Sequence, residues 1–172
     1  MNDGQRRKEM IIAALKEAEK PISAQKFAKE LGVSRQIIVG DVALLRASGQ
    51  QIMATARGYL LAGDESGTTA KIAVQHGPDQ TEEELNIIVA NGGEILDVIV
   101  EHPLYGELQG NLQIKTFADV RRFIADYQKA EATLLSELTE GIHLHTIRFQ
   151  TEADLVKIKQ ALQEQQILYQ EK

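Results

Sequence analysis

Residues 24–49 read AQKFAKELGVSRQIIVGDVALLRASG, and this stretch decides how the head of the chain folds. Ser23, just before it, suits a helix N-cap, because its hydroxyl accepts a backbone N–H that the first turn leaves unpaired. The spacing predicts a short helix over 24–31, with Phe27, Ala28 and Leu31 on one face. Gly32 closes it, since glycine takes up the left-handed cap conformation without steric cost. Ser34 then caps a further helix whose buried stripe is Ile38, Val42 and Leu45, and which closes at Gly49. Ala28 is small enough for the two helices to approach, Gly32 makes the turn, and Val33 plugs the joint. Upstream, residues 5–19 place Met10, Ile11, Ala14, Leu15 and Ala18 at helical spacing, and the pattern stops at Lys20-Pro21. Downstream, QIMATARGYLLAG (51–63) predicts two short strands around Ala56-Arg57-Gly58. Three helices followed by a hairpin make a winged helix-turn-helix over residues 1–63.

The charge distribution agrees with that reading. The 172 residues carry a net charge of −6, yet residues 1–63 hold ten Lys/Arg against six Asp/Glu, while 64–172 hold nine against nineteen. A basic head on an acidic body points to a polyanion met by the head alone. In a helix-turn-helix the first turn of the second helix reads base edges in the major groove, which selects Arg35 and Gln36. Arginine bonds bidentately to guanine and glutamine to adenine. Ser34, Arg46 and Arg57 are expected on phosphates, which position the protein without specifying sequence. One such head buries little surface, so a homodimer on a two-fold operator is expected. With no Cys and no Trp, the composition excludes disulfides, thiolate metal sites and a cysteine nucleophile, and makes a cytoplasmic setting the expectation. No apolar run approaches the length of a membrane span.

Residues 64–69 (DESGTT) read as a linker. Beyond them the pattern predicts strands at 71–75, 94–101, 105–115 and 142–149, and helices at 79–91, 117–130 and 152–164. Thr116 caps the second of these helices, and a last short strand is expected at 166–169. The order β-α-β-β-α-β, then α-β, is that of a ferredoxin-like α/β sandwich over 70–172, so the fold class is α+β. All four histidines, His76, His102, His143 and His145, lie in this part. His143 and His145 share one face of a strand and could chelate a single ion, as could His76 and Glu84 if the intervening helix packs over the sheet. An isolated His-x-His is also often a surface or hydrogen-bonded pair, and Glu82-Glu83-Glu84 is by default a solvated first turn favoured by the helix dipole. Three imidazoles and a carboxylate would suit nickel or zinc, not magnesium or calcium.

VSRQIIVGDVALLR (33–46), ATARGYLLAG (54–63), the stretch 74–85, NGGEILDVIVEHPLYGELQG (91–110) and EGIHLHTI (140–147) together resemble one family. It is that of the niacin-responsive repressors of NAD biosynthesis and salvage, called NiaR or YrxA, and the likeness runs over nearly all of residues 5–170. The resemblance implies a winged-helix repressor with a C-terminal 3H domain, nicotinic acid as co-repressor, and a metal ion held by His76, Glu84, His143 and His145. It makes His102, in the E-H-P motif, a pocket residue. Apart from the resemblance, the effector's carboxylate needs a donor; Arg148 near the His-Leu-His strand could serve, its other reading being a solvated strand-end charge. Gly40 departs from the family, where a polar or basic residue is common, so base contacts are expected from 35 and 36 and not from 40. Two rivals stand beside this non-enzymatic reading: a repressor that senses the metal itself, and a metal-dependent hydrolase using an open coordination position for water.

Overall fold

Each helix of the head begins where a side chain accepts an otherwise unpaired backbone N–H. Asn2 Oδ1 accepts from Gln5, Ser23 Oγ from Lys26 and Ser34 Oγ from Ile37, at 2.7, 3.0 and 3.2 Å. The computed structural model describes residues 2–63, 67–130 and 133–170. The caps open α1 (Asp3–Glu17), α2 (Ala24–Leu31) and α3 (Arg35–Ala47), and the hairpin of β1 (Ile52–Thr55) and β2 (Gly58–Leu61) follows. The Asn2 cap and the extended Ala18 place α1 two residues earlier than the apolar spacing alone indicates. Gly32 takes φ 68° between α2 and α3. Ile11, Leu15, Phe27, Ala28, Ile38, Val42, Leu45 and Ile52 form a single buried cluster. Asp41, on the inner side of α3, is buried against the guanidinium of Arg7 in α1. Ile22 adds a bridge to the wing, its N–H bonding Tyr59 O at 3.0 Å and its carbonyl accepting Tyr59 N–H at 2.8 Å.

The chain divides into two compact units, residues 1–65 and 66–172. In the second, β3 (Thr68–Gln75), α4 (Thr81–Ala90), β4 (Glu94–His102), β5 (Gly106–Ile114), α5 (Phe117–Ala130), β6 (Ile142–Phe149) and α6 (Glu152–Glu164) succeed one another. Short 3-10 turns at Pro78–Gln80 and Leu135–Thr139 intervene. The sheet is antiparallel with strand order β3-β6-β4-β5. β6 thus separates the two parallel strands joined by α4, and β4 separates those joined by α5, a doubly split βαβ arrangement. Thr116 Oγ1 accepts Asp119 N–H at 3.1 Å at the start of α5. One sheet face packs on the helices through Ile72, Val74, Ile95, Ile147 and Phe149 against Leu85, Ile88, Val120, Ile158 and Leu162.

Two details depart from the sequence expectation. Thr68 and Thr69 are not linker but pair with Phe149 and Arg148 at the start of β3; Asp64–Ser66 lie outside the described residues. The expected strand 166–169 reduces to one bridge, Val74 to Leu168, because Gln166 at φ 59° breaks the extended run. Its Ile167 carbonyl and Tyr169 N–H still bond Gln75 and Ala73, at 2.8 and 2.9 Å, and cover the open edge of β3.

Two glycines of the head carry opposite expectations. Gly40 lies inside α3 with nothing within 4 Å of where a Cβ would stand, so Gly40→Ala should stabilise the head by about 1 kcal/mol. Gly58 sits at φ +132°, and a Cβ there would strike the backbone of Ile22 and Ser23. Gly58→Ala should therefore cost more than about 1 kcal/mol. Urea denaturation of the full chain, followed by helical circular dichroism, checks both; equal midpoints for the two variants would contradict this account.

Candidate metal centre

His143 and His145 stand two residues apart on β6, so the pleat turns both to the helix-covered face. They pair across the ladder with Val74 and Ile72, and His76 continues the same side two residues beyond Val74. The chain then makes its 3-10 turn and enters α4, whose fourth residue, Glu84, faces inward with 1% of its surface exposed. Three imidazoles thus meet one carboxylate. His76 Nε2 bonds Glu84 Oε2, while His143 Nε2 and His145 Nε2 lie 3.3 and 2.6 Å from Oε1. Neighbouring rings meet edge to face, with centroids 4.9 Å apart for His76–His143 and 4.7 Å for His143–His145.

The other ring nitrogens are all committed to backbone carbonyls. Nδ1 of His76 donates to Gly77 O at 2.8 Å, that of His143 to Gly141 O at 2.9 Å, and that of His145 to Asp97 O at 2.7 Å. This fixes the tautomer: a neutral imidazole that donates from Nδ1 presents a lone pair at Nε2. Three lone pairs facing a carboxylate repel it unless protons or a cation lie between them. His145 Nε2 makes this concrete, being buried without a hydrogen-bond partner despite its closeness to Oε1. Burial pushes the Glu84 carboxyl up, but the surrounding imidazoles, His145 foremost, outweigh it and hold the group well below the usual carboxylate range. Burial pushes His76 and His145 down, and Glu84 outweighs that too, so both stand above the ordinary histidine value.

The donor set fits a borderline transition ion, and His76, Glu84 and His143 offer ligand atoms within 4.8 Å of one another. A cavity of about 40 Å³ adjoins it, lined by the four residues, Thr81 and Ser136, and walled by Leu85, Val98, Leu112, Phe123, Leu134 and Leu135.

Two supporting residues escaped the sequence reading. The strand register shifts around Asp97, whose carbonyl takes the His145 proton while its carboxylate accepts Thr146 N–H at 2.7 Å and Gln109 Nε2 at 3.0 Å. Its one signal is an acidic residue amid the apolar run EILDVIVE. Gly141, at φ +87°, lends its carbonyl to His76 N–H at 3.3 Å as well as to His143, and a Cβ there would strike the His76 backbone.

Other predicted residues fall elsewhere. His102 does not line the cavity: it ends β4, and its Nδ1 accepts the Leu104 and Tyr105 N–H groups at 3.1 and 3.3 Å, bracing the hairpin turn. Arg148 is three residues from His145, so strand alternation turns it to the opposite sheet face, where its guanidinium meets Glu94 at 3.4 Å. In the head, Ser34 caps α3 while Arg35 and Gln36 lie exposed in its first turn. Arg46 is exposed in the last turn, and Arg57 at the wing tip.

Comparison with known proteins follows this division. Residues 69–171 match the 3H domain and residues 7–60 a helix-turn-helix domain. The chain is 42% identical over 167 residues to the probable transcription repressor NiaR of Thermotoga maritima, covering 97% of this chain and 95% of that one. It is 40% identical over 169 residues to the transcription repressor NadR of Bacillus subtilis, covering 96% and 94%. Among the described residues no helix is long and apolar enough to cross a membrane. The chain therefore belongs to the family of DNA-binding transcription repressors that join a helix-turn-helix head to a 3H domain.

Proposed function

We propose that this repressor holds one divalent transition ion, nickel or zinc, between His76, Glu84, His143 and His145, and responds to nicotinic acid as co-repressor. On this reading it acts as a homodimer on operators of genes for NAD biosynthesis and niacin uptake. The observation that carries the metal is the convergence of three Nε2 lone pairs on a buried carboxylate, with every Nδ1 already donating to a backbone carbonyl. When bound, the ion supplies a Lewis acid for one of the effector's two handles, its pyridine nitrogen or its carboxylate. Arg148 lies on the other sheet face beside Glu94, which weighs against it as the carboxylate's partner, and among the described residues no Lys or Arg lines the cavity. Asp97 and Gly141 hold the rings in orientation, and the apolar wall keeps bulk water from the ligands. Among the described residues the cavity offers no titratable side chain beyond the four of the cluster, which weighs against a hydrolase needing a separate general base. Effector binding strengthens DNA binding only if it favours the DNA-competent arrangement of two heads, and the coupling is reciprocal.

The metal has a pH signature. Glu84 raises His76 and His145, so protons compete for these imidazoles from a higher pH than at an isolated ring, and metal affinity should fall as pH drops through neutrality. In metal-free protein the ion-paired cluster stabilises the fold between the unfolded carboxylate value of about 4.3 and the unfolded imidazole value of about 6.5. That contribution is lost as pH rises through the raised folded values of the histidines, and also as pH falls through the lowered value of Glu84. The gap in melting temperature between metal-loaded and metal-free protein should thus widen from pH 6 to pH 8; a constant gap contradicts the assignment. His143→Ala and His145→Ala should each abolish stoichiometric metal retention, read by elemental analysis, with the head still folded.

On DNA, Arg35→Ala should cost roughly 1–3 kcal/mol on the operator and relax specificity at one base pair. Arg57→Ala should weaken all sequences alike and flatten the salt dependence. An unchanged salt slope in Arg57→Ala removes the wing from the contacts. The decisive test of the switch is a nicotinic acid titration with operator DNA present, on metal-loaded and metal-stripped protein. Operator affinity should rise only in the loaded form; an equal response after stripping leaves the ion structural, and a response to metal alone makes the protein a metal sensor.

A further inference from the structure

Thr81 opens α4, a place where threonine side chains commonly face solvent, yet here the residue is only 6% exposed. It precedes Glu84 by three residues, so the two share a face of the helix, and both line the cavity beside the histidines. Its hydroxyl oxygen is buried and has no hydrogen-bond partner among the described residues. Burying a hydroxyl without a partner is costly, and the cavity wall opposite is aliphatic and aromatic: Val98, Leu112, Phe123 and Leu135. The space, about 40 Å³, exceeds the roughly 10–15 Å³ that admits one water molecule. A divalent ion held by three neutral imidazoles and one carboxylate keeps a single positive charge, and among the described residues no other cation lines the cavity. Such a centre favours an oxygen ligand, and a hydroxyl donor beside it is matched to that oxygen's remaining lone pairs.

We propose that Thr81 is a specificity-determining residue of this centre: its hydroxyl donates a hydrogen bond to the oxygen, of water or of a carboxylate, bound at the position the four protein ligands leave open. This rests on the metal reading given above and adds to it the residue that selects the exogenous ligand. It favours carboxylate ligands over those that meet the ion through nitrogen alone, because only an oxygen ligand uses the Thr81 proton.

The test uses the full chain loaded with Co²⁺, whose visible absorption reports its ligands, in wild type, Thr81→Val and Thr81→Ser. All three should retain one cobalt per chain. Nicotinic acid and acetate should shift the wild-type spectrum, with dissociation constants roughly tenfold or more higher in Thr81→Val, as loss of a hydrogen bond to a charged group implies. Thr81→Ser should restore binding, and pyridine, which offers no oxygen, should bind all three alike. Equal carboxylate affinity in wild type and Thr81→Val overturns the role of Thr81. So does a wild-type spectrum that responds to neither carboxylate, since no position is then open. Wild type that retains no cobalt overturns the metal reading instead.

Discussion

A carboxylate buried to 1% exposure among three imidazoles is the constraint around which the C-terminal unit is built. Glu84 is tolerable there only in the presence of compensating positive charge, and the surrounding backbone orients the three imidazoles that would carry or bind it. Three carbonyls, of Gly77, Asp97 and Gly141, accept hydrogen bonds from the Nδ1–H groups, so that all three Nε2 atoms point inward. The register shift at Asp97 and the positive φ of Gly141 are the backbone features that bring two of those carbonyls into place. Each of these departs from the regularity of a plain strand, and each is paired with a ring of the cluster, as expected where supporting groups orient a metal site.

The two units divide the tasks of a repressor along physical lines. The head concentrates positive charge and an exposed first turn of α3, the features that meet a phosphate backbone and base edges. The acidic unit gathers three histidines and a glutamate in a buried interior, where a few groups act on one another at short range. The half-buried histidine, His102, serves the β4–β5 turn by accepting two backbone N–H groups, so it stands apart from the three clustered histidines.

Two residues that the sequence singles out have local settings of their own. Gly40 sits where nothing packs on it, so its lack of a side chain answers no demand of the head's core. Arg148 is likewise accounted for without a ligand, since the Glu94 carboxylate opposite it on the neighbouring strand is its partner.

Much of the fold was legible in local signals. Ser23, Ser34, Gly32 and Thr116 mark helix ends by hydrogen bonds that span four residues or fewer, and the helices 24–31 and 117–130 fall where those signals put them. Strand alternation likewise put His143 and His145 on one face, because the pleat has a period of two whatever the sheet does. What the chain alone left open was everything that depends on which strand lies beside which. Only the order β3-β6-β4-β5 sets His76 next to the His-Leu-His strand and lays α4 over both, so that Glu84 turns inward while Glu82 and Glu83 remain exposed. Only tertiary structure sends Arg148 away from the site, draws Asp97 into it, and leaves the Thr81 hydroxyl buried without a partner. The reason is range: caps and pleats are fixed within a few residues, whereas the sign and hydrogen bonding of a buried charge depend on groups brought together from as many as 61 residues apart, as His145 and Glu84 are.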